Sequence, residues 1–299
     1  MTMSKELFLA ILSMDSYNRG YNAGLGDGQN VINGIDSDGL GDAIGTTVGK
    51  AEISFKSSSD IDSDEYAAGF YAVAYTISGS ENIPELNGKT VISYRGTDPS
   101  TAAHFVTDAI NGYGVALGSS TGDQATLAAK FFQEVTNTQN SDPTTSNVTF
   151  TGHSLGGGLA GLMAAIYGQD AAIFDNMPFE DAAGDAHQRA TNPNDPDDAG
   201  VNTRVLEDFY NNLAPWSPQI GANIDAYAVT GEFADALRVG LIQTTEEIYY
   251  DSHAGGSLGP FALHSQALMV SLMFAQHEEH FNWRSVGAHL WGAAFDNAI

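Results

Sequence analysis

The chain has 299 residues, with 37 Asp and Glu against 11 Lys and Arg, for a formal net charge of −26. A negative surplus of that size argues against nucleic acid and anionic membrane surfaces as primary partners. It contains no cysteine, so neither a disulfide nor a thiol enters its structure or chemistry. The length suits one α/β domain, 1–299, with a full core.

Residues 1–20 carry an apolar run (Leu7, Leu9, Ile11, Leu12) with no basic leader and no small-residue cleavage site, which fits a buried helix better than a Sec signal peptide. Residues 21–49, rich in Gly, Asp and Asn, read as loop. Within them IDSDGLGD (35–42) sets Asp36, Asp38 and Asp42 around glycine. That is the composition of a calcium loop, but it lacks the length and terminal glutamate of an EF-hand, so a solvated loop is the preferred reading and calcium the alternative. Residues 66–78 and 90–95 have strand-like patterns, 101–118 form an amphipathic segment, and 122–138 space their apolar residues as a helix does. A polar connector, 139–147, leads to a β-branched run at 148–151. A strand is expected within 171–179, irregular chain over 180–200, a strand at 224–231 and a helix at 261–274 after a Gly-rich loop. Strands alternating with helices predict an α/β fold with a mainly parallel central sheet. No stretch approaches the length of a membrane span, so stable insertion is not expected.

The most informative string is VTFTGHSLGG, residues 148–157. An apolar strand meets Gly-x-Ser-x-Gly, and a small-residue helix follows. This is the context of a nucleophile elbow, in which the strained turn exposes the Ser154 hydroxyl and needs glycine at 152 and 156. The N–H groups opening the following helix, Leu155 first, point where an oxyanion would form.

GHSLGG after such a strand resembles the lipases of the α/β-hydrolase superfamily, especially the fungal-type (class 3) lipases and their bacterial secreted relatives. The resemblance spans about residues 65–275 by motif order. It implies an α/β-hydrolase fold and a Ser–acid–His chain order, so the base must follow Ser154. His187, His253, His264, His277, His280 and His289 qualify; His104 and His153 do not. His264 sits where the Gly-rich loop enters an apolar helix, as the family's histidine does, with His253 as runner-up. HEEH (277–280) lacks the HExxH spacing of a zinc site, and no metal is assigned. Glu232, following a strand and Gly231, matches the family's acid in position although most relatives use Asp. Asp235 and Asp175 compete with it. SYRGTDP (93–99) resembles the family's oxyanion loop, with Thr97 and Leu155 as donors and Arg95 as a structural ion-pairing residue. The segment 101–118 matches the position of the family's lid.

The resemblance implies a serine carboxylic-ester hydrolase acting through an acyl-enzyme, with no organic cofactor required. Its substrates would be esters or lipids, met by transient contact with a lipid interface. The alternatives are a phospholipase, a short-chain esterase, a polyester hydrolase, or a catalytically silent hydrolase fold that only binds. The kinship with bacterial lipases also implies secretion by a route other than Sec, as the catalytic part of a longer protein.

Overall fold

The computed structural model describes residues 3–18, 31–32, 35–36, 47–58, 60, 62–79, 83–96, 120, 122–137, 147–192, 224–238, 247–252 and 258–277. Among the described residues, eight strands form the main sheet: β3 (Thr47–Val48), β4 (Ala51–Lys56), β5 (Ala72–Ile77), β6 (Thr90–Tyr94), β7 (Val148–His153), β8 (Asp170–Phe174), β9 (Ile224–Val229) and β10 (Glu247–Tyr250). They lie side by side in chain order, β10-β9-β8-β7-β6-β5-β4-β3. β6 to β10 pair in parallel, while β3 to β6 are antiparallel. A separate antiparallel pair joins β1 (Val31–Ile32) and β2 (Ile35–Asp36). This mainly parallel sheet flanked by helices is the architecture of an α/β hydrolase.

The strand residues divide by the two-residue period of the pleat. Ala72, Ala74, Ile92, Phe150, Ala171, Ile173 and Ala226 face one side, where α3 (Asp123–Thr136), α4 (Leu155–Tyr167) and α5 (Glu180–Ala190) cover them. Val73, Tyr75, Val91, Phe174, Tyr227 and Val229 face the other, under α1 (Lys5–Asn18) and α8 (Gln266–His277). Ser4 starts α1 by accepting the Leu7 N–H on its hydroxyl at 3.1 Å, an N-cap interaction. Leu7, Leu9 and Leu12 of that helix are buried, and Thr151 on β7 donates to the Leu9 carbonyl at 3.3 Å.

α4 is buried at every residue despite carrying four glycines. Each glycine costs a free helix about 1 kcal/mol relative to alanine. Close packing explains them, since a Cβ on Gly161 would come within 2.6 Å of the Phe179 ring and one on Gly157 within 2.8 Å of Asn176 Cβ.

Several elements differ from the sequence expectation. The region 180–200, expected to be irregular, opens with the helix α5. Its alanines at 182, 183 and 186 are good helix formers and pack on the core, outweighing the polar residues between them. Residues 66–78 yield a strand only from Ala72, because Ser63 accepts the Tyr66 N–H and caps a short helix, α2 (Asp64–Ala67). The expected helix 261–274 is broken into α7 (Pro260–Leu263) and α8, with His264 in the break. β4 and β10 went unanticipated. β4 (AEISFK) does alternate apolar and polar residues but β10 (EIYY) does not, and both are partly exposed, as at Phe55, Ile248 and Tyr249. The segment 101–118 and the residues Asp38 and Asp42 lie outside the described residues, so neither the lid expectation nor the calcium reading meets any described geometry.

Candidate active site

Ser154 stands between β7 and α4 with φ 57° and ψ −126°, left-handed backbone that a residue bearing a Cβ adopts only under strain. The surroundings enforce it. Its N–H donates to the Phe174 carbonyl at 3.0 Å, and its own carbonyl accepts from Gly158 and Met177 at 3.1 and 2.9 Å. A Cβ on Gly152 would lie 2.2 Å from the Gly156 carbonyl oxygen, and one on Gly156 would lie 2.1 Å from that of Tyr94. Both obstacles are backbone and cannot swing aside. Gly156→Ala is therefore expected to cost about 3 kcal/mol or more, as forced overpacking does. Urea unfolding measures it, and a wild-type midpoint would mean that the turn is looser than described.

His264 caps the C-terminal end of α7, its N–H bonded to the Pro260 carbonyl at 3.1 Å. Its ring meets Phe233 edge-on at 6.0 Å and lies tilted against His153 at 4.7 Å. Nε2 lies 2.8 Å from Ser154 Oγ, and Nδ1 lies 2.5 Å from Glu232 Oε2. A carboxylate only accepts, so Nδ1 carries the proton and Nε2 accepts the serine hydroxyl. Glu232 follows Gly231 (φ 78°) in a turn closed by its N–H to the Val229 carbonyl at 3.1 Å. Its Oε2 also accepts the Ala234 N–H at 2.5 Å, and Oε1 accepts from Arg238. Ser154, His264 and Glu232 are all buried.

The other sequence candidates are placed elsewhere. Asp235 opens α6 (Asp235–Arg238), where its carboxylate takes the Gly231 N–H at 3.0 Å, the Tyr249 hydroxyl at 3.2 Å and Arg238 at 3.3 Å. His187 lies on α5 and His277 ends α8. His253, His280, His289 and Thr97 fall outside the described residues. Gly96, next to Thr97, abuts the elbow: a Cβ there would lie 3.0 Å from Ser154 Cβ. Leu155 is the first residue of α4, whose opening N–H groups have no intrahelical acceptor. The Arg95 guanidinium sits over the Tyr71 ring at 5.1 Å.

Beside these groups lies a polar cluster that the sequence did not reveal. The Tyr17 hydroxyl on α1 pairs with His153 Nδ1 at 2.7 Å. His153 Nε2 faces Asp175 Oδ2 at 3.8 Å, and neither atom has a hydrogen-bond partner among the described residues. Ligand-capable atoms of His153, Asp175 and His264 lie within 4.8 Å of one another. Both His264 nitrogens are engaged with Ser154 and Glu232, which leaves too few free donors for a metal centre. Burial, and then the His264 charge, push His153 well below the usual imidazole range and so keep it neutral. Burial, and then the negative charge of Glu232, push Asp175 well above the usual carboxylate range.

Asp175 adopts φ 41°, and its Oδ1 accepts the Val229 N–H at 2.8 Å. Asparagine tolerates that backbone and keeps that bond. The ordinary value of an aspartate is 3.8, and burial in the fold raises that of Asp175 well above it. Wild type therefore loses stability as pH rises from there toward the raised value, and Asp175→Asn does not. Urea unfolding at about pH 4 and about pH 8 should show the variant gaining on wild type at the higher pH. A constant difference would mean that Asp175 is ionised in the fold.

The parallel sheet and its strand-to-helix elbow define an α/β hydrolase. The chain matches the family model described as phospholipase-like, Tle-like phospholipase domain, over residues 46–269, and it belongs to that family. It is thus an ester hydrolase of the lipase and phospholipase kind, with lipid as its substrate class. Among solved structures it is similar to a mutant form of MDLA from Penicillium cyclopium, with 15% identity, a TM-score of 0.37, and coverage of 82% of this chain and 78% of that one. A comparison with curated proteins finds no match. No helix among the described residues is long and apolar enough to cross a membrane.

Proposed function

We propose that the protein hydrolyses the carboxylic esters of phospholipids, with Ser154 as nucleophile, His264 as general base and acid, and Glu232 as the orienting acid. The observation that carries this reading is the unbroken hydrogen-bonded chain Ser154 Oγ, His264 Nε2, His264 Nδ1, Glu232 Oε2. Family membership adds the phospholipid.

His264 takes the Ser154 proton as Oγ attacks the ester carbonyl. The tetrahedral oxyanion is met by N–H groups at the start of α4, that of Leu155 first. The imidazolium is stabilised by Glu232 and then protonates the departing lysophospholipid alcohol. Water, activated by the same imidazole, cleaves the acyl-enzyme and releases the fatty acid. The chain itself supplies every group in this sequence, and we propose no cofactor. The protein would meet its substrate at a lipid surface without inserting, as a secreted protein.

The test is to incubate the purified protein with phosphatidylcholine vesicles and, separately, with a triacylglycerol emulsion. The expected result is fatty acid release, faster from the vesicles, abolished by a fluorophosphonate that labels the peptide containing Ser154. Release of phosphate or headgroup with both acyl chains intact would overturn the reading. The net charge of −26 adds a further expectation. Vesicles of phosphatidylglycerol should be cleaved more slowly than phosphatidylcholine at about 0.01 M salt, with the gap closing near 1 M as charges are screened.

A further inference from the structure

Arg238 is a buried cation at the end of α6, surrounded by acids. Its Nη2 donates to Glu232 Oε1 and lies 3.3 Å from Asp235 Oδ1. Its Nη1 donates to the Asn176 carbonyl at 2.8 Å, two residues past the end of β8. Its Nε lies 2.8 Å from Glu247 Oε1 on β10, outside hydrogen-bonding angles, so that contact is an ion pair. One side chain thereby ties together the turn bearing Glu232, the end of β8 and the edge strand β10. Burial works against its charge, but the neighbouring carboxylates, Glu232 and then Glu247 foremost, hold it firmly protonated.

The Glu232 carboxylate has two oxygens with different duties. Oε2 serves His264 and the Ala234 N–H, and Oε1 serves Arg238. With both oxygens held the carboxylate plane cannot rotate freely, so the direction of the bond to Nδ1 is set by the guanidinium together with the Ala234 N–H. The guanidinium also balances the acid's charge one carboxylate away from the imidazole. Among the described residues, Asp175 just past β8, His153 on β7, and Glu247 and Tyr249 on β10 are the other titratable groups facing this region.

We propose that Arg238 is a positioning residue for the reaction: by gripping the Glu232 oxygen turned away from His264, it sets both the direction and the net charge of the acid behind the imidazole. This rests on Glu232 being the acid of the proposed mechanism. Arg238 acts through Glu232 and does not touch substrate. The arrangement leaves Glu247 as a competitor for the same cation, so changes at 238 and 247 should act on His264 with opposite sign.

The experiment measures kcat, KM and the acid limb of the kcat/KM–pH profile on a soluble ester. Arg238→Gln removes the cation, which stabilises the imidazolium and should move the acid limb up by about one pH unit. Its kcat should fall by about 10²-fold with KM little changed, as misplacement of a catalytic group does. Arg238→Lys keeps the charge but loses the fork, so its limb should stay in place while kcat falls. Glu247→Gln frees the cation for Glu232 and should move the limb down. This variant also serves if Arg238→Gln does not fold. Folded Arg238→Gln and Glu247→Gln proteins with a wild-type limb, or with limbs shifted the same way, would overturn the proposal and leave Arg238 a structural tie. Failure of the underlying reading looks different: Glu232→Gln would then itself keep wild-type turnover and pH profile.

Discussion

Replacing Glu232 by glutamine should lower turnover on a soluble ester by up to about 10⁴-fold, with KM nearly unchanged. Glutamine fills the same volume and can still meet Arg238 through its carbonyl oxygen. It cannot carry the charge that stabilises imidazolium at His264, and its amide N–H₂ turned toward Nδ1 would favour the wrong tautomer. Asp235 is bonded to Gly231 N, Tyr249 and Arg238 and not to His264, so Asp235→Asn should keep turnover far closer to wild type than Glu232→Gln does. Asp175 is the informative control. It lies beside the same imidazole, but its Oδ1 is held by Val229 and burial works against its charged form. Assaying the three variants side by side decides the matter. A crippled Asp175→Asn with a healthy Glu232→Gln would move the acid to β8.

Ser154→Ala should abolish ester hydrolysis and fluorophosphonate labelling while leaving the unfolding midpoint almost unchanged. Alanine inherits the same backbone strain as serine and fits the same turn. Ser154→Gly should be equally inactive but more stable, because glycine occupies φ 57° without a Cβ penalty. The pair separates chemistry from strain. A gain in stability for glycine with none for alanine would show that the elbow stores conformational energy in the residue proposed as nucleophile. Residual turnover in a well-folded alanine variant above the level of buffer hydrolysis would remove Ser154 from the mechanism.

What could be read in the sequence was what local sterics dictate. Gly152 and Gly156 are written into the chain because a Cβ at either position would strike backbone a few residues away or on the adjoining strand. The Pro260 loop running into an apolar helix marked His264, although not the break between α7 and α8 that seats it. Gly231 at the end of β9 marked Glu232. The partners that fix these groups left no such trace. Tyr17 reaches His153 across 136 residues, so no spacing announces the pair. Arg238 gains its meaning only when β10 brings Glu247 beside it. Helix α5 was missed because its polar residues outnumber the alanines that dock it, and docking is a tertiary event.

The first helix of the chain is sealed in place by its last described one. Gln266 donates to the Ala10 carbonyl at 3.0 Å across 256 residues, and Met269, Val270 and Met273 close the same apolar layer as Leu7, Leu9 and Leu12. On a translating ribosome those partners would be separated by roughly 10 to 50 s of synthesis. Throughout that time the N-terminal segment has an apolar flank with nothing to cover it, which makes the nascent chain a natural client for a holdase chaperone. His264 also emerges late, after the elbow serine has long been made. On the proposed mechanism a half-made chain lacks its base, so it should be inert toward lipid until synthesis is nearly complete.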